Sequence, residues 1–293
     1  MQLSRRHWIV LVLLTLVWGL NWPVMKLGVQ DYPPLTFRAL SLWIGWLVLA
    51  LVVAQQRLSL SVARVHWPRL ALLALFNMVL WNSLMILAIP LLPSGRAAIL
   101  GYTMPIFSAL LGSWVFGERL SARAWAGVLA AAAGVLLLIW HEAAALGKSL
   151  LGLGLMLSAA AVWALGTQLL RRLTLPVPLL ALSFWMMAIT CVSVSALAWL
   201  LEHGQWRAPG DVAWAAIFYN GLLALGFAQV AWFFLARTLP PVASTLSVMF
   251  IPVLGVFAGT LWLGEALNWQ DWAAVALMVL AIASVLLPQR PLR

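Results

Sequence analysis

Residues 92–118 read LPSGRAAILGYTMPIFSALLGSWVFGE, and residues 239–265 read LPPVASTLSVMFIPVLGVFAGTLWLGE. The two stretches align without a gap at an offset of 147 positions (240 − 93), about half of the 293 residues. In each copy a proline near the middle, Pro105 or Pro252, interrupts an apolar run that ends in Gly-Glu. Because proline has no backbone N–H and its ring clashes with the preceding turn, the pattern predicts two bent helices at matching positions.

The composition places the chain in a lipid bilayer. Hydrophobic residues make up 65% of it and charged residues 8%, whereas a soluble domain is about 25% charged. The net charge of +10 is spread over short connections and forms no continuous basic stripe, which argues against nucleic-acid binding. Cys191 is the sole cysteine, so an intrachain disulfide and a CxxC site are excluded. The four histidines lie at the ends of apolar runs without metal-ligand spacing, so we expect neither a metal site nor a cofactor.

Ten apolar runs are long enough to cross a membrane, for which a helix needs about 20 residues. Their apolar character is continuous rather than alternating, so the pattern predicts helices and excludes a transmembrane β-barrel. The run that follows Arg5 and Arg6 is too long for the core of a signal peptide, and we interpret it as a retained first span. The predicted spans cover residues 8–29, 34–54, 67–89, 94–116, 123–140, 149–171, 177–201, 211–236, 241–263 and 269–287. The sequence therefore predicts an all-α membrane protein with ten transmembrane helices.

The distribution of basic residues predicts the orientation of these spans. Cytoplasmic connections are rich in Lys and Arg, and placing the N-terminus inside puts 12 of the 17 basic residues on that side. Both termini then lie inside, as an even number of spans requires. Each half has an odd number of spans, so the second half crosses the membrane in the opposite sense, which predicts an inverted repeat. We expect two five-helix units, residues 1–143 and residues 144–293.

Polar and aromatic side chains at mid-span depth mark the predicted solute site. Trp163 and Thr167 are four residues apart, and Ser244 and Ser247 are three apart, so each pair shares one helix face. Tryptophans at this depth give flat apolar walls suited to an aromatic solute, whereas packing and interhelical hydrogen bonds are the alternative roles. The predicted lining residues are Met78, Asn82, Ile99, Tyr102, Trp163, Thr167, Trp185, Ser244 and Ser247. Asn82, Tyr102 and the two serines are expected to orient the solute.

Three basic residues lie inside predicted spans toward the outer side: Lys26, Arg38 and Arg96. Long basic side chains either extend to the membrane interface or line a water-filled vestibule, and the sequence leaves both arrangements open. A vestibule would favour a solute that carries a carboxylate. No aspartate or glutamate occupies the middle of a predicted span, and proton-driven pumps commonly rely on one. This pattern favours movement of the solute down its own gradient.

Several short motifs add to the doubled half and the ten spans. They are Trp18-Gly19-x-Asn21 with Lys26, Phe37-Arg38, and Gly117-Glu118-Arg119-Leu120 followed by Gly127 and Gly134. In these motifs the chain resembles the EamA-type transporters of the drug/metabolite transporter superfamily. Its tryptophan-rich interior most resembles the YddG branch, bacterial inner-membrane exporters of aromatic amino acids and related metabolites. The resemblance implies alternating access around a central cavity that is lined by helices one, three, four, six, eight and nine.

We therefore expect a monomeric, multi-pass inner-membrane protein that exports aromatic or hydrophobic amino acids and related small metabolites without strict proton coupling. Pro105 and Pro252 are interpreted as the bends about which each half gates. The alternative is a proton-coupled transporter of another small solute, such as a nucleotide-sugar-like or other anionic metabolite, or a drug. An enzyme is disfavoured because the histidines are dispersed over both sides of the membrane. A purely structural protein would not need two halves bent at matching positions.

Overall fold

The computed structural model describes residues 5–143, 148–173, 175–238 and 241–286, with their side chains except those at 141–143, 148, 149, 233, 236–238, 241–249, 285 and 286. Within these residues the regular secondary structure is helical, without a β-strand. We number the helical segments in chain order. They are α1 (Arg5–Gly28), α2 (Pro34–Gln55), α3 (Arg64–Leu91), α4 (Ser94–Trp114), α5 (Ala122–Ala143), α6 (Lys148–Arg172), α7 (Leu179–Gln205), α8 (211–238), α9 (Pro241–Leu263) and α10 (Trp269–Leu286).

The length and the surface of these helices fit a membrane. Eight helices in the described part of the chain are long and apolar enough to cross one, and two, described as Phe250–Leu263 and Trp269–Ser284, are shorter apolar helices. Large apolar side chains point outward, among them Leu51, which is 63% exposed, and Leu261, which is 79% exposed. Lipid tails are as apolar as leucine, so such a surface is stable in a bilayer. The helix ends agree with the predicted span boundaries within a few residues, and the chain is a multi-pass membrane protein.

The two Gly-Glu motifs end their helices with the same turn. Gly117 and Gly264 both have a positive φ, 70° and 64° respectively, a conformation in which a Cβ would be strained. In each copy the N–H of the following glutamate donates to the carbonyl six residues back, at 2.9 Å in the first and 3.4 Å in the second. A glycine in the left-handed conformation directly after the last helical turn is a common C-terminal cap. The two sequence copies therefore share one backbone geometry at these positions.

Two helices contain π-helical stretches near their middle. In α3 the stretch is Leu75–Val79, and in α8 it is Tyr219–Phe227, between the α-helical pieces Asp211–Phe218 and Ala228–Thr238. Such turns inside α-helices are rare and frequently lie at functional sites. The two stretches occupy the third helix of each half. No residue pattern in the sequence predicts them.

The helices that carry the matched prolines differ in geometry. A turn at Tyr102 and Thr103 separates the first piece of α4 from the second, Met104–Trp114. Pro105 lies in the first turn of that second piece, where its missing N–H leaves no helical hydrogen bond unmade. In α9, by contrast, Pro252 lies inside a continuous helix. Equal spacing in the sequence has therefore produced an interrupted helix in one half and an uninterrupted one in the other.

The packing of the helices repeats when each helix is exchanged for its counterpart in the other half, α1 for α6 and so on to α5 for α10. α1 packs against α9 as α6 packs against α4, α3 packs against α6 as α8 packs against α1, and α2 contacts α8 as α7 contacts α3. Three helices also pack directly against their equivalents in the other half: α2 against α7, α4 against α9, and α5 against α10. The two halves are therefore intermixed, and the surface between them runs through the middle of the bundle.

Candidate functional site

A buried arginine joins helices of both halves. Arg38 of α2 is 4% exposed. Its Nε donates to Oδ1 of Asn82 on α3 at 2.7 Å, and its Nη2 donates to the same oxygen. Its Nη1 donates to Oδ1 of Asn220 on α8 at 2.6 Å and reaches Sδ of Met25 on α1 at 3.8 Å. Four helices, three from the first half and one from the second, thus converge on one guanidinium group.

Further asparagine contacts hold this group in place. Asn220 donates through Nδ2 to Oδ1 of Asn21 on α1 at 2.6 Å, and Asn82 donates through Nδ2 to the carbonyl of Met78 at 2.6 Å. Both amides that face the guanidinium therefore present their oxygen to it. These oxygens replace part of the water that a cation loses on burial. We call Asn21, Arg38, Asn82 and Asn220 the Arg38 cluster.

The Arg38 cluster contains no carboxylate. The chain has seven acidic residues, and the side chain of Glu142 lies outside the described part. The other six bind elsewhere or are exposed: Asp31, Glu118, Glu202, Asp211, Glu265 and Asp271. Among the described residues Arg38 therefore has no ion-pair partner.

The other two basic residues predicted inside spans have partners of their own. Arg96 of α4 and Asp271 of α10 form a buried ion pair, with 2.6 Å between Nε and Oδ1. Lys26 of α1 donates through Nζ to three carbonyls at the end of α3, at 2.9, 2.9 and 3.0 Å. A cation at a helix C-terminus is stabilised by the helix dipole. Both groups lie at the end of the bundle where α1 and α3 end and α4 and α10 begin.

Two glutamates at the same end of the bundle cap helices of the first half. Glu202 of α7 accepts from two backbone N–H groups at the start of α2, at 2.9 and 2.7 Å. Glu265, which follows α9, accepts from two backbone N–H groups at the start of α4, at 2.6 and 3.2 Å. A carboxylate satisfies the free N–H groups of a helix start and complements its dipole. This end of the bundle is therefore held together by polar contacts that cross from one half to the other.

Aromatic side chains lie beside the Arg38 cluster on α1. Trp22 is 5% exposed and meets the ring of Tyr102 on α4 edge to face, with 6.3 Å between ring centroids. Trp18 donates through Nε1 to the carbonyl of Ala224, in the π-helical stretch of α8, at 3.1 Å. Because Trp18, Trp22 and Met25 recur at helical spacing, they share the face of α1 that meets Arg38. The cluster thus combines a cation with an aromatic neighbourhood.

The predicted lining residues are not all brought together. Asn82 belongs to the Arg38 cluster, with the carbonyl of Met78 as a partner, and Tyr102 packs on the neighbouring Trp22. Thr167 of α6 accepts from Nδ2 of Asn77, in the π-helical stretch of α3, at 3.2 Å. The contact joins α3 to α6, the helix pair that corresponds to α8 and α1 in the other half.

The remaining predicted lining residues have other surroundings. Ile99 is fully buried and Trp163 is half-buried. Trp185 donates through Nε1 to the carbonyl of Leu60, in the connection between α2 and α3, at 2.8 Å. The side chains of Ser244 and Ser247 lie outside the described part of the chain. Reasoning from the sequence did not pair Asn220 with Arg38 or Asn21 with Asn220, although both asparagines lie at mid-span depth.

Comparisons with known proteins identify the family. The sequence model of the EamA-like transporter family matches residues 6–140 and again residues 150–287. The chain is 29% identical to "Uncharacterized inner membrane transporter YedA" of Escherichia coli (strain K12), with 94% of this chain and 88% of that one covered. It is 25% identical to "Probable amino-acid metabolite efflux pump" of the same strain, with 94% and 93% covered.

A solved structure shares the fold. It is titled "Crystal structure of protein", has a TM-score of 0.69 and 22% identity, and the match covers 99% of this chain and 100% of that one. Relatives named as transporters, multiple apolar helices and the doubled match agree on an inner-membrane transporter rather than an enzyme. This chain belongs to the EamA-like transporter family of the drug/metabolite transporter superfamily.

Proposed function

We propose that the chain exports aromatic or hydrophobic amino acids and related small metabolites by alternating access through a central cavity between two inverted five-helix halves. The observation that carries the mechanism is the helix packing that repeats on exchange of the halves. When two related units enclose one site, movement of one against the other opens the site to either side in turn. We place the boundary between the units at residues 143 and 144, with both chain termini inside.

The substrate class is supported by the surroundings of the Arg38 cluster. Trp22 and Tyr102 form an aromatic pair next to it, and flat aromatic rings bind aromatic and aliphatic solutes. A relative that matches nearly the whole chain is named a probable amino-acid metabolite efflux pump. We include Met78, Asn82 and Tyr102 in the lining, and we assign the chain to the aromatic amino-acid exporters of the YddG branch.

The proposed mechanism does not require strict proton coupling. In the described residues each acidic side chain lies at a helix end or in a connection, whereas proton-coupled carriers rely on carboxylates within the membrane. The solute would then move down its own gradient. The turn before Pro105 supplies a break in α4 about which its two pieces can reorient, and Pro252 would serve α9 in the same way.

Efflux from proteoliposomes tests the proposal. The purified chain is reconstituted around labelled phenylalanine, tryptophan or threonine, and release is followed with and without an imposed pH gradient. We expect release of the aromatic amino acids at a rate that the pH gradient leaves unchanged. Release that occurs only with the gradient would refute uncoupled transport. No release of any amino acid, compared with liposomes lacking protein, would refute the substrate class.

A further inference from the structure

We propose that Arg38 binds the carboxylate of the transported solute, and that Asn82 and Asn220 hold the guanidinium group in position when no solute is bound. This inference rests on the export function proposed above and specifies which part of the solute the protein recognises.

The Arg38 side chain is directed toward the middle of the membrane. Asn82 lies nine residues before the end of α3 at Leu91 (91 − 82), and Asn220 lies nine residues after the start of α8 at Asp211 (220 − 211). At 1.5 Å per residue both amides are about 13 Å from those helix ends, close to the middle of a hydrocarbon core about 30 Å thick. Arg38 itself is near the start of α2, so its side chain extends inward rather than to the interface. An isolated charge at this depth is unfavourable and typically marks a substrate pathway.

Two of the five N–H groups of the Arg38 guanidinium lack a strong acceptor. Oδ1 of Asn82 accepts one hydrogen bond from Nε and one from Nη2, and Oδ1 of Asn220 accepts one from Nη1. The second N–H on Nη1 has only the Met25 sulphur, 3.8 Å from the nitrogen, and a thioether is a weak acceptor. The second N–H on Nη2 has no acceptor among the described residues. A carboxylate has two oxygens that can accept from both terminal nitrogens at once.

Charge balance points to the same ligand. Arg96 is neutralised by Asp271, and Lys26 is bound by three carbonyls at a helix end. Arg38 is the buried cation of the described residues whose contacts are all uncharged. A solute carboxylate would neutralise it, and the aromatic part of an amino acid would then lie toward Trp22, which shares a helix face with Met25.

The cluster is also placed where it can respond to movement between the halves. Asn82 comes from the first half and Asn220 from the second, so displacement of α8 relative to α2 removes an oxygen from Arg38. Asn220 lies in the π-helical stretch of α8. A solute carboxylate can take the position of the Asn220 oxygen without leaving the guanidinium unpaired.

Competition assays on the full chain in proteoliposomes test the proposal. Counterflow of labelled phenylalanine is inhibited with unlabelled phenylalanine or phenylalaninamide, which differ only in the carboxylate. In the wild type we expect the inhibition constant of the amide to be at least about tenfold higher than that of the acid, because a tenfold change corresponds to the loss of one close charge pair. In Arg38→Gln the ratio should fall to near one, and in Arg38→Lys to an intermediate value. Asn77→Ala, which removes an amide of α3 outside the Arg38 cluster, should keep the wild-type ratio.

A second variant separates binding from folding. Asn220→Asp supplies Arg38 with a carboxylate from the protein itself, so it should fold at least as stably as the wild type and lose the preference for the acid. Thermal unfolding in detergent gives the parallel measurement: phenylpropionate should raise the melting temperature of the wild type, phenylpropionamide should not, and Asn220→Asp should respond to neither.

The outcomes separate this inference from the export function. A wild type that binds acid and amide equally, or an Arg38→Gln or Asn220→Asp variant that keeps the preference for the acid, would overturn the role of Arg38. If no amino acid is transported, the export function fails, and the melting temperatures with phenylpropionate still decide whether Arg38 binds a carboxylate.

Discussion

Arg38 and Arg96 have opposite surroundings although the sequence places both inside spans on the same side. Arg96 meets Asp271 in a buried ion pair, whereas Arg38 meets only amides and a sulphur. Burying a charge without its partner is strongly unfavourable, and an unpaired cation inside a membrane typically marks a functional site. The two arginines therefore call for different experiments.

Replacing Asp271 with asparagine should destabilise the protein. The change leaves Arg96 buried without the carboxylate, and breaking a buried pair in this way costs about 3–5 kcal/mol. Thermal unfolding in detergent should show a clear fall in melting temperature. The double variant Arg96→Met with Asp271→Asn removes both charges, keeps an acceptor for the N–H of Asn268, and should recover most of the loss. A double variant as unstable as Asp271→Asn would contradict this account.

Replacing Gly264 with alanine should also lower stability. At a φ of 64° a Cβ meets the backbone, with a penalty of about 1–2 kcal/mol. Gly154 of α6 is the matched control, because a Cβ there meets nothing within 4 Å; Gly154→Ala should be neutral or stabilising by up to about 1 kcal/mol. Equal melting temperatures for the two variants would show that the left-handed turn after α9 is not needed.

Helix ends show how one sequence motif is used in two ways. Glu265 caps the start of α4 with two backbone hydrogen bonds. Its counterpart Glu118 pairs with Arg172 of α6, with 2.6 Å between the charged atoms, and both side chains are partly exposed, at 39% and 31%. Exposed pairs contribute little, whereas a cap on buried N–H groups contributes more.

Alanine at these two positions should therefore have unequal effects. Glu265→Ala leaves N–H groups at the start of α4 unsatisfied, which should lower stability by about 1–3 kcal/mol. Glu118→Ala should change it by about 1 kcal/mol or less. Both variants are prepared in the same detergent, and their stabilities are compared by unfolding with guanidinium chloride or heat. A larger effect at Glu118 would show that its pair with Arg172 carries more stability than an exposed pair should.

In the whole molecule, each helix contacts helices of the other half, and equivalent helices of the two halves make equivalent contacts. α2 contacts α8 as α7 contacts α3, and the sequence model of the family matches each half once. The proposed inversion adds that equivalent connections lie on opposite sides of the membrane. Arg57, between α2 and α3, and Arg207, between α7 and α8, lie in equivalent connections.

Cysteine labelling of these two connections tests the inversion. Arg207→Cys should react with a membrane-impermeant maleimide in intact spheroplasts, and Arg57→Cys only after permeabilisation. The wild type is the control, since its Cys191 is fully buried and should remain unlabelled. Reaction of both variants from the same side would rule out inverted halves.

The sequence by itself determined the class of protein, the helices and their approximate ends, and the doubled pattern. These follow from properties local to the chain: an apolar run of membrane length can satisfy its backbone in lipid only as a helix, and Gly-Glu ends its helix through a bond to a residue six positions back. For the same reason it identified Asn82 as a polar residue of the interior.

Only the tertiary structure decided which polar groups meet. Arg38 and Asn220 are far apart in the chain, and so are Arg96 and Asp271, and their contacts depend on how whole helices are positioned. The π-helical stretches also depend on the tertiary structure. So does the interruption of α4 but not of α9, because a proline permits a break in a helix and the surrounding packing decides whether the break forms. The unpaired cation on which the proposed solute site depends is therefore a property of the packed bundle, since no local pattern brings amides rather than carboxylates to an arginine.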